Sequence, residues 1–576
     1  MKTFFQIYQH FSPELKRRFW LLFFGMVFLA VVETVTVGII AFYAAAISDP
    51  QATYDAFMGY HFILLDPSQL FPGFSIKLMI ALFSLLLIIA VVIKNILSGV
   101  VTYHIAKFSA ATESHFGSRL LDSFLNRDYQ WHLNKNSADL VQKVNWRHFL
   151  GRYFITSCLK MTAEIAMLMV LLAGLLLVQP LVSLLFIATQ GVAGIVVYRF
   201  LRKGLDHSAR GCQEAETILN RTATCALHAI KDVQISGARK YFVDGFQEWG
   251  TRFSTLFGKQ QFWQESPLLA LESLGFVMIA GAILFMLFGL EYSPLETTGT
   301  TALLAVTAWR TLPAFNRVVS SMAGMRTAMP YVSSLLEEMS EMSDLRSSGE
   351  GTVGEKTISF VSAIKFVNVS FSYDGHRSVL QALNFEIPCG KSLGIVGPSG
   401  SGKSTLIDLL TGLLWPQGGE IRIDDKLLSE ENVHSWRKSI GYVPQFPYIL
   451  DGTLAENIAF GQAAQDIDRE RVVEVCRMAA IDFLDQLSDG IDSIIGERGI
   501  KLSGGQRQRV AIARALYRCP KLIIFDEATS ALDEDKDFEI RQLILQLKGK
   551  QTLVIVSHRP STIAECDNIV KIDRLL

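Results

Sequence analysis

Residues 392–405, SLGIVGPSGSGKST, decide the fold of the chain around them. Ser392 to Val396 read as a short buried strand that runs directly into a loop of the form G-x-x-x-x-G-K-[ST]. A helix is expected to follow. In that order the three parts form a phosphate cradle. Gly397, Gly400 and Gly402 let the backbone wrap an anion with its N–H groups, with Pro398, Ser399 and Ser401 between them. The helix N-terminus, near Thr405, favours the same negative charge. Lys403 is expected to reach the β- and γ-phosphates of a nucleotide, and Ser404 to bind Mg²⁺.

Further along, KLIIFDEATSALD (521–533) supplies a second half to this site. Leu522 to Phe525 make another buried strand, and Asp526 at its end is placed to help hold Mg²⁺. Glu527 beside it is placed to orient or deprotonate an attacking water. Short β-branched runs such as IKFVNVSF (364–371) and TLVIVS (552–557) alternate with helical patterns. That alternation is the mark of an α/β domain with a largely parallel sheet.

Between the two half-sites lies LSGGQ, Leu502 to Gln506. With it the chain resembles the ATP-binding cassette (ABC) family, and the resemblance covers the domain from Ile364 onward. It implies a P-loop NTPase cassette over 364–576 that binds ATP and Mg²⁺. Tyr373 would then stack on adenine, and Gln445 in YVPQ would join the metal and the water to the rest of the transporter. Ser503, Gly504, Gly505 and Gln506 would face the nucleotide held by the other subunit. Ser530 to Asp533 would cross the dimer interface, and His558 would support the transition state. Gly496-Glu497-Arg498-Gly499 looks like the segment by which exporters sense their own loops. One chain carries one cassette with every motif intact, so a homodimer with two equivalent composite sites is expected. The chain stops at VKIDRLL, where many family members run on, and the ATP site is expected to be complete without more.

The N-terminal half is of another kind. Over the whole chain half of the residues are hydrophobic and 19% are charged, with mean hydropathy +0.30. That is too apolar for an ordinary soluble enzyme. Six apolar segments, at 19–47, 77–104, 153–178, 181–201, 266–290 and 299–321, each have about the ~20 residues needed to span a bilayer. The first is too long for a signal peptide. Lys and Arg are absent from 48–76 and 289–301 but crowd the loops after the second and fourth segments. By the positive-inside rule both termini, both long loops and the cassette are cytoplasmic. The expected architecture is a six-span helical transmembrane domain over 1–335, a polar linker over 336–363 and the cassette over 364–576. The long loops are expected to be helical, reversing near 129–136 and 222–230. Net charge of −1 gives no reason to expect a nucleic-acid partner. The seven cysteines show no metal or disulfide pattern.

Six spans followed by a C-terminal cassette resemble the exporter branch of the family, in which ATP closure reorients a central cavity. Arg310 and Arg317 are spaced two turns apart in the sixth segment, and Lys94 lies in the second. Charges there are costly and usually have a reason. Two readings stand side by side. Either these cations form a wall for an anionic, lipid-linked cargo, or Glu33, Glu164 and Glu272 neutralise them. Lys160 and Glu164, four residues apart, are expected to pair with each other. The aromatic external segment at 49–71 adds a second resemblance, to the lipid-linked oligosaccharide flippases of bacterial cytoplasmic membranes. A lipid, multidrug or peptide exporter is the alternative, as is a nucleotide-gated membrane regulator.

Overall fold

The computed structural model describes residues 2–48, 50–59, 75–178, 180–288, 294–349, 357–373, 375, 377–496, 502–528 and 534–573; within helices the side chains of some residues, 301–310 among them, lie outside this description. Residues 60–71 of the expected external segment, Glu497–Gly499 and Ser530–Asp533 fall outside it too.

The chain divides into two units, Met1–Arg127 with Asn134–Ser348, and Asp128–Leu133 with Gly349–Leu576. The first is helical. A short helix α1 (Lys2–Gln9) precedes α2 (Pro13–Ser48), which starts on a proline where the missing N–H costs nothing and is capped by the Ser12 hydroxyl, 3.3 Å from Leu15 N. Next come α3 (Pro50–Gly59) and α4 (Ile76–Leu125), capped by Ser75. The short α5 (Tyr129–Leu133) counts with the second unit, and the first resumes with α6 (Ser137–Asn145), a π-helical turn (Phe149–Ile155) and α7 (Thr156–Val178). The long helices α8 (Pro180–His228), α10 (Arg239–Phe288) and α11 (Pro294–Gly349) complete the unit, with α9 (Ile230–Ile235) between the first two.

The six apolar segments map onto α2, α4, the π-turn with α7, α8, α10 and α11. Among the described residues three stretches are long and apolar enough to cross a membrane: Pro13–Ile40, Ile76–Leu125 and Ser137–Val170. The first reversal falls where expected, at α5 and the Asn136 cap of α6. The second lies later than 222–230. The chain stays helical through His228 and turns at 229–238, because Gly237 supplies the positive φ (+64°) that ends α9. Helices α8 and α10 run close together where Gly204 meets Trp263 and Gly211 meets Leu256.

The second unit carries two sheets. One is antiparallel: β1 (Ala363–Ser372) pairs with β2 (Ser378–Pro388) and β4 (Gly418–Ile423), and β4 with β5 (Lys426–Leu427), in the order β2-β1-β4-β5. The other is parallel and joins β3 (Ser392–Val396), β6 (Ile440–Val443), β7 (Leu522–Asp526), β8 (Thr552–Val556) and β9 (Asn568–Lys571) in the order β6-β7-β8-β3-β9. Its β7 (Leu522–Asp526) and β8 (Thr552–Val556) are buried on both faces, so they read as unbroken apolar runs. Ile523 and Phe525 join the core on one side of the sheet, and Leu522 and Ile524 the core on the other. The strand order sets β3 (Ser392–Val396) beside β8 and β8 beside β7. The carboxyl ends of three neighbouring strands therefore present the phosphate loop, His558 and the Asp526–Glu527 pair at one edge.

Candidate active site

The phosphate loop leaves β3 and enters α12 (Lys403–Leu410) through Gly400 and Gly402, whose φ angles are +77° and +98°. A side chain at Gly397 would bring its Cβ within 2.4 Å of the Ile572 carbonyl oxygen, so the glycine is demanded by close backbone approach. Lys403 is buried, its ammonium donating to the carbonyls of Gly397 (3.0 Å) and Pro398 (3.1 Å) across the loop. Ser399 and Ser404 are exposed. The Ser401 hydroxyl is buried and has no partner among the described residues. A buried polar atom left unpaired costs roughly 1–3 kcal/mol. An orphan hydroxyl inside a glycine-built anion cradle fits a phosphate-bearing ligand.

Tyr373 is half-exposed and packs edge-on to Phe371, while its hydroxyl lies 3.1 Å from that of Thr405. The ring is thus tethered to the phosphate loop with a face open to an aromatic base. Asp526 accepts a hydrogen bond from the Tyr442 hydroxyl at 3.0 Å. Burial raises the Asp526 pKa, and the Tyr442 hydrogen bond and the Lys403 charge oppose that rise. Asp408, on α12, is pushed up to about 6 by burial and by the charge of Asp526. Asp408 belongs to no motif, and Tyr442 opens the YVPQ run in which only Gln445 was singled out, so the fold is what brings both to the site.

Glu527 is the most constrained residue here. Its Oε2 accepts from the Gln445 amide at 2.8 Å, and its Oε1 is 2.7 Å from His558 Nε2. Its backbone sits at φ +50°, a region that costs a non-glycine residue about 1–3 kcal/mol, while its N–H donates to Val556 O at 2.9 Å. Strain held by a strand contact fixes the carboxylate between its two partners. Gln445, Glu527 and His558 come from positions far apart in sequence, and the structure joins them directly.

The LSGGQ segment opens α13 (Gly504–Tyr517) with a capping box: the Ser503 hydroxyl accepts from Gln506 N at 3.2 Å, and Ser503 N donates to the Gln506 side chain at 2.8 Å. Leu502 and Gly505 are buried, whereas Ser503 and Gly504 face outward. Within the second unit the segment stands as a rigid helix start with exposed N–H donors.

In the helical unit the sequence-derived cations are already engaged. Arg317 makes a two-pronged bond to Glu164, at 2.5 and 2.9 Å. The expected Lys160–Glu164 pair is therefore not formed, because the planar guanidinium of Arg317 matches both carboxylate oxygens at once. Lys94 lies 4.0 Å from Glu33. The Arg310 side chain lies outside the described residues.

The comparisons with known proteins agree with this geometry. A family model described as ABC transporter matches residues 380–530. An ATP-dependent lipid A-core flippase of Coxiella burnetii is 32% identical over 415 residues, 70% of this chain and 68% of that protein. The chain belongs to the ABC transporter family. It has the half-transporter arrangement, one helical unit with long apolar helices followed by one ATP-binding cassette. The ABC multidrug transporter mdr2 of Aspergillus fumigatus is 42% identical over 233 residues, 40% of this chain. The first three relatives are matched over only 17%, 29% and 35% of their own lengths. A solved bacterial Atm1-family ABC exporter with ATP bound shares the fold, with TM-score 0.78 at 22% identity, over 97% of this chain and 94% of that one.

Proposed function

We propose that two copies of this half-transporter couple ATP hydrolysis to the flipping of an amphipathic lipid with an anionic head, of the lipid-linked oligosaccharide kind, across a bacterial cytoplasmic membrane. The observation that carries the reading is the likeness, over two thirds of its length, to a protein named for flipping lipid A-core. The crowding of Lys and Arg in the loops after the second and fourth apolar segments supports a cytoplasmic cassette.

The residues present fit a nucleotide with Mg²⁺. Ser404, Gln445 and Asp526 would hold the metal, which supplies charge neutralisation at the phosphates. Residues Gly397 to Thr405 bind and orient those phosphates, and Tyr373 steadies the base. Glu527 is the general base, taking the proton of the attacking water on a carboxylate oxygen that Gln445 and His558 keep in place. Ser503 to Gln506 offer helix-start donors to the nucleotide of the partner subunit. Closure of two cassettes over two nucleotides would then drive the helices.

The test is reconstitution in liposomes with labelled polyprenyl-pyrophosphate glycan, in parallel with a labelled neutral lipid. ATP-dependent movement of the glycan lipid alone is the expected result. Equal movement of both, or none with ATPase activity intact, removes this cargo. A second reading, export of hydrophobic compounds, is favoured by a cavity of about 580 Å³ in the helical unit, lined by Phe4, Phe19, Trp20, Phe154 and Met325. Pumping of a hydrophobic dye by the same liposomes would select it. ATPase activity no faster than in the Glu527→Gln protein would instead point to a nucleotide-gated regulator.

A further inference from the structure

Strands β6 and β7 pair in parallel, with Tyr442 beside Ile524. Residues in register on neighbouring strands point to the same face, and so does every second residue along a strand. Tyr442 therefore shares a face with Ile524 and, two residues on, with Asp526. The same face carries the core that Leu522 and Ile524 form with Leu406 and Leu410 of α12. Such a diagonal neighbour lies roughly 7–8 Å away at the backbone, a gap that only a long side chain closes. Tyrosine closes it with a donor at its tip, and its hydroxyl donates to Asp526 Oδ2 at 3.0 Å.

That bond has a consequence for cation choice. A carboxylate can give a cation one oxygen or both, and a hydroxyl hydrogen aimed at Oδ2 competes for that oxygen's lone pairs. It also fixes the rotation of the group. The other carboxylates nearby are limited in the same way or set back. Both oxygens of Glu527 are engaged, by Gln445 and by His558. Asp408 stands one turn beyond Ser404 on α12 and adds its charge beside Asp526. Left loose, three carboxylates would offer a cation many oxygens. Held as they are, Asp526 and Glu527 leave Asp526 Oδ1 as their one oxygen without a hydrogen bond among the described residues. Ca²⁺ takes six to eight oxygens and accepts bidentate carboxylates, whereas Mg²⁺ is smaller, demands an octahedron and is held by one or two carboxylates with phosphates and water. A single pinned oxygen suits Mg²⁺.

We propose that Tyr442 is a positioning and specificity-determining residue for the metal: by holding Oδ2 it restricts Asp526 to one oxygen for the ion and so favours Mg²⁺ over Ca²⁺. The proposal rests on the reading of Asp526 as a metal ligand given above and names what selects the ion. Tyr442 is exposed, so removing its hydroxyl leaves the cores of the cassette in place.

The experiment uses the full-length protein in detergent, stripped of divalent ions and loaded with a non-hydrolysable ATP analogue. Protein-bound Mn²⁺ is followed by its electron paramagnetic resonance spectrum while Mg²⁺ or Ca²⁺ is titrated in as competitor. The readout is the ratio of the two half-displacing concentrations, Ca²⁺ over Mg²⁺, which cancels any change in Mn²⁺ affinity. In the wild type the ratio is well above one. Tyr442→Phe lowers it roughly tenfold or more, the scale on which partners of metal ligands act. In a parallel ATPase assay the same variant needs more Mg²⁺ for half-maximal rate, while its rate at saturating Mg²⁺ stays within a few-fold of wild type. Tyr517→Phe is the matched control. It removes a tyrosine hydroxyl bonded at 3.0 Å to Gln462 Oε1 elsewhere in the cassette and keeps the wild-type ratio. Asp526→Asn weakens Mn²⁺ binding roughly tenfold or more. Unchanged Mn²⁺ binding in Asp526→Asn overturns the metal-ligand reading and this proposal with it. Weakened binding there with an unshifted ratio in Tyr442→Phe overturns the role of Tyr442 alone. An equal fall of the ratio in Tyr517→Phe assigns the effect to general loosening of the cassette and overturns it too.

Discussion

In the cassette, Glu527 is held in a strained backbone conformation between Gln445 and His558, and the buried Ser401 hydroxyl has no partner among the described residues. In the helical unit, Arg317, Lys94 and Arg326 each stand beside a carboxylate. The cassette thus keeps its polar groups poised for a ligand, whereas much of the helical unit neutralises its own. The difference follows from solvent. An ATP site exchanges ligand with water at every cycle, so a group awaiting phosphate can be hydrated meanwhile. A charge facing hydrocarbon has no such substitute and needs a permanent partner.

That contrast can be broken at its strongest point first. Glu527→Gln removes the general base while keeping the shape, so phosphate release should fall by about 10²–10⁴-fold with ATP still bound. A fall of less than tenfold would mean that the poised carboxylate is not the base. Next, Gly397→Ala drives a Cβ against the Ile572 carbonyl, a backbone atom that cannot swing away. Calorimetric melting should show a loss of about 1–3 kcal/mol together with weakened ATP binding. An unchanged cassette would show that the loop is looser than its contacts imply.

Smaller effects sharpen the other side. A double-mutant cycle between Arg317→Gln and Glu164→Gln, followed by denaturation in detergent, should return a coupling of about 1 kcal/mol. Zero coupling would dissolve the claim that this helical region neutralises itself.

The smallest effect concerns Asp567. It accepts from Ser392 N at 2.9 Å and Ser392 Oγ at 2.8 Å, which together with Lys548 lowers its pKa from 3.8 to about 2. Because the folded value is the lower one, the contribution is present above pH ~4 and is lost as pH falls through ~2. Asp567→Asn should therefore be slightly less stable than wild type at pH 7. The gap should close over the acid range in a melting series, and a gap that persists at pH 2 would mean that charge is not its source.

The two units also differ in how far they could be read in advance. The phosphate loop, the Asp526–Glu527 pair and LSGGQ are contiguous, since each does its work through backbone donors or adjacent side chains along one turn. Tyr442 was passed over within YVPQ in favour of Gln445, and Asp408 was missed because nothing local marks it. They become part of the site only through the order β6-β7-β8-β3-β9 and the course of α12. The Lys160–Glu164 expectation failed for a related reason. Helical spacing predicts neighbours on one helix, but a long-range partner with better geometry, Arg317 on α11, takes the carboxylate.

The sequence by itself determined an ATP cassette joined to apolar helices, because phosphate binding and bilayer length each impose a short-range pattern on the chain. Tertiary structure alone decided which charges are cancelled and which are left over. Ion pairing depends on distances between helices that lie from dozens to more than a hundred residues apart in sequence.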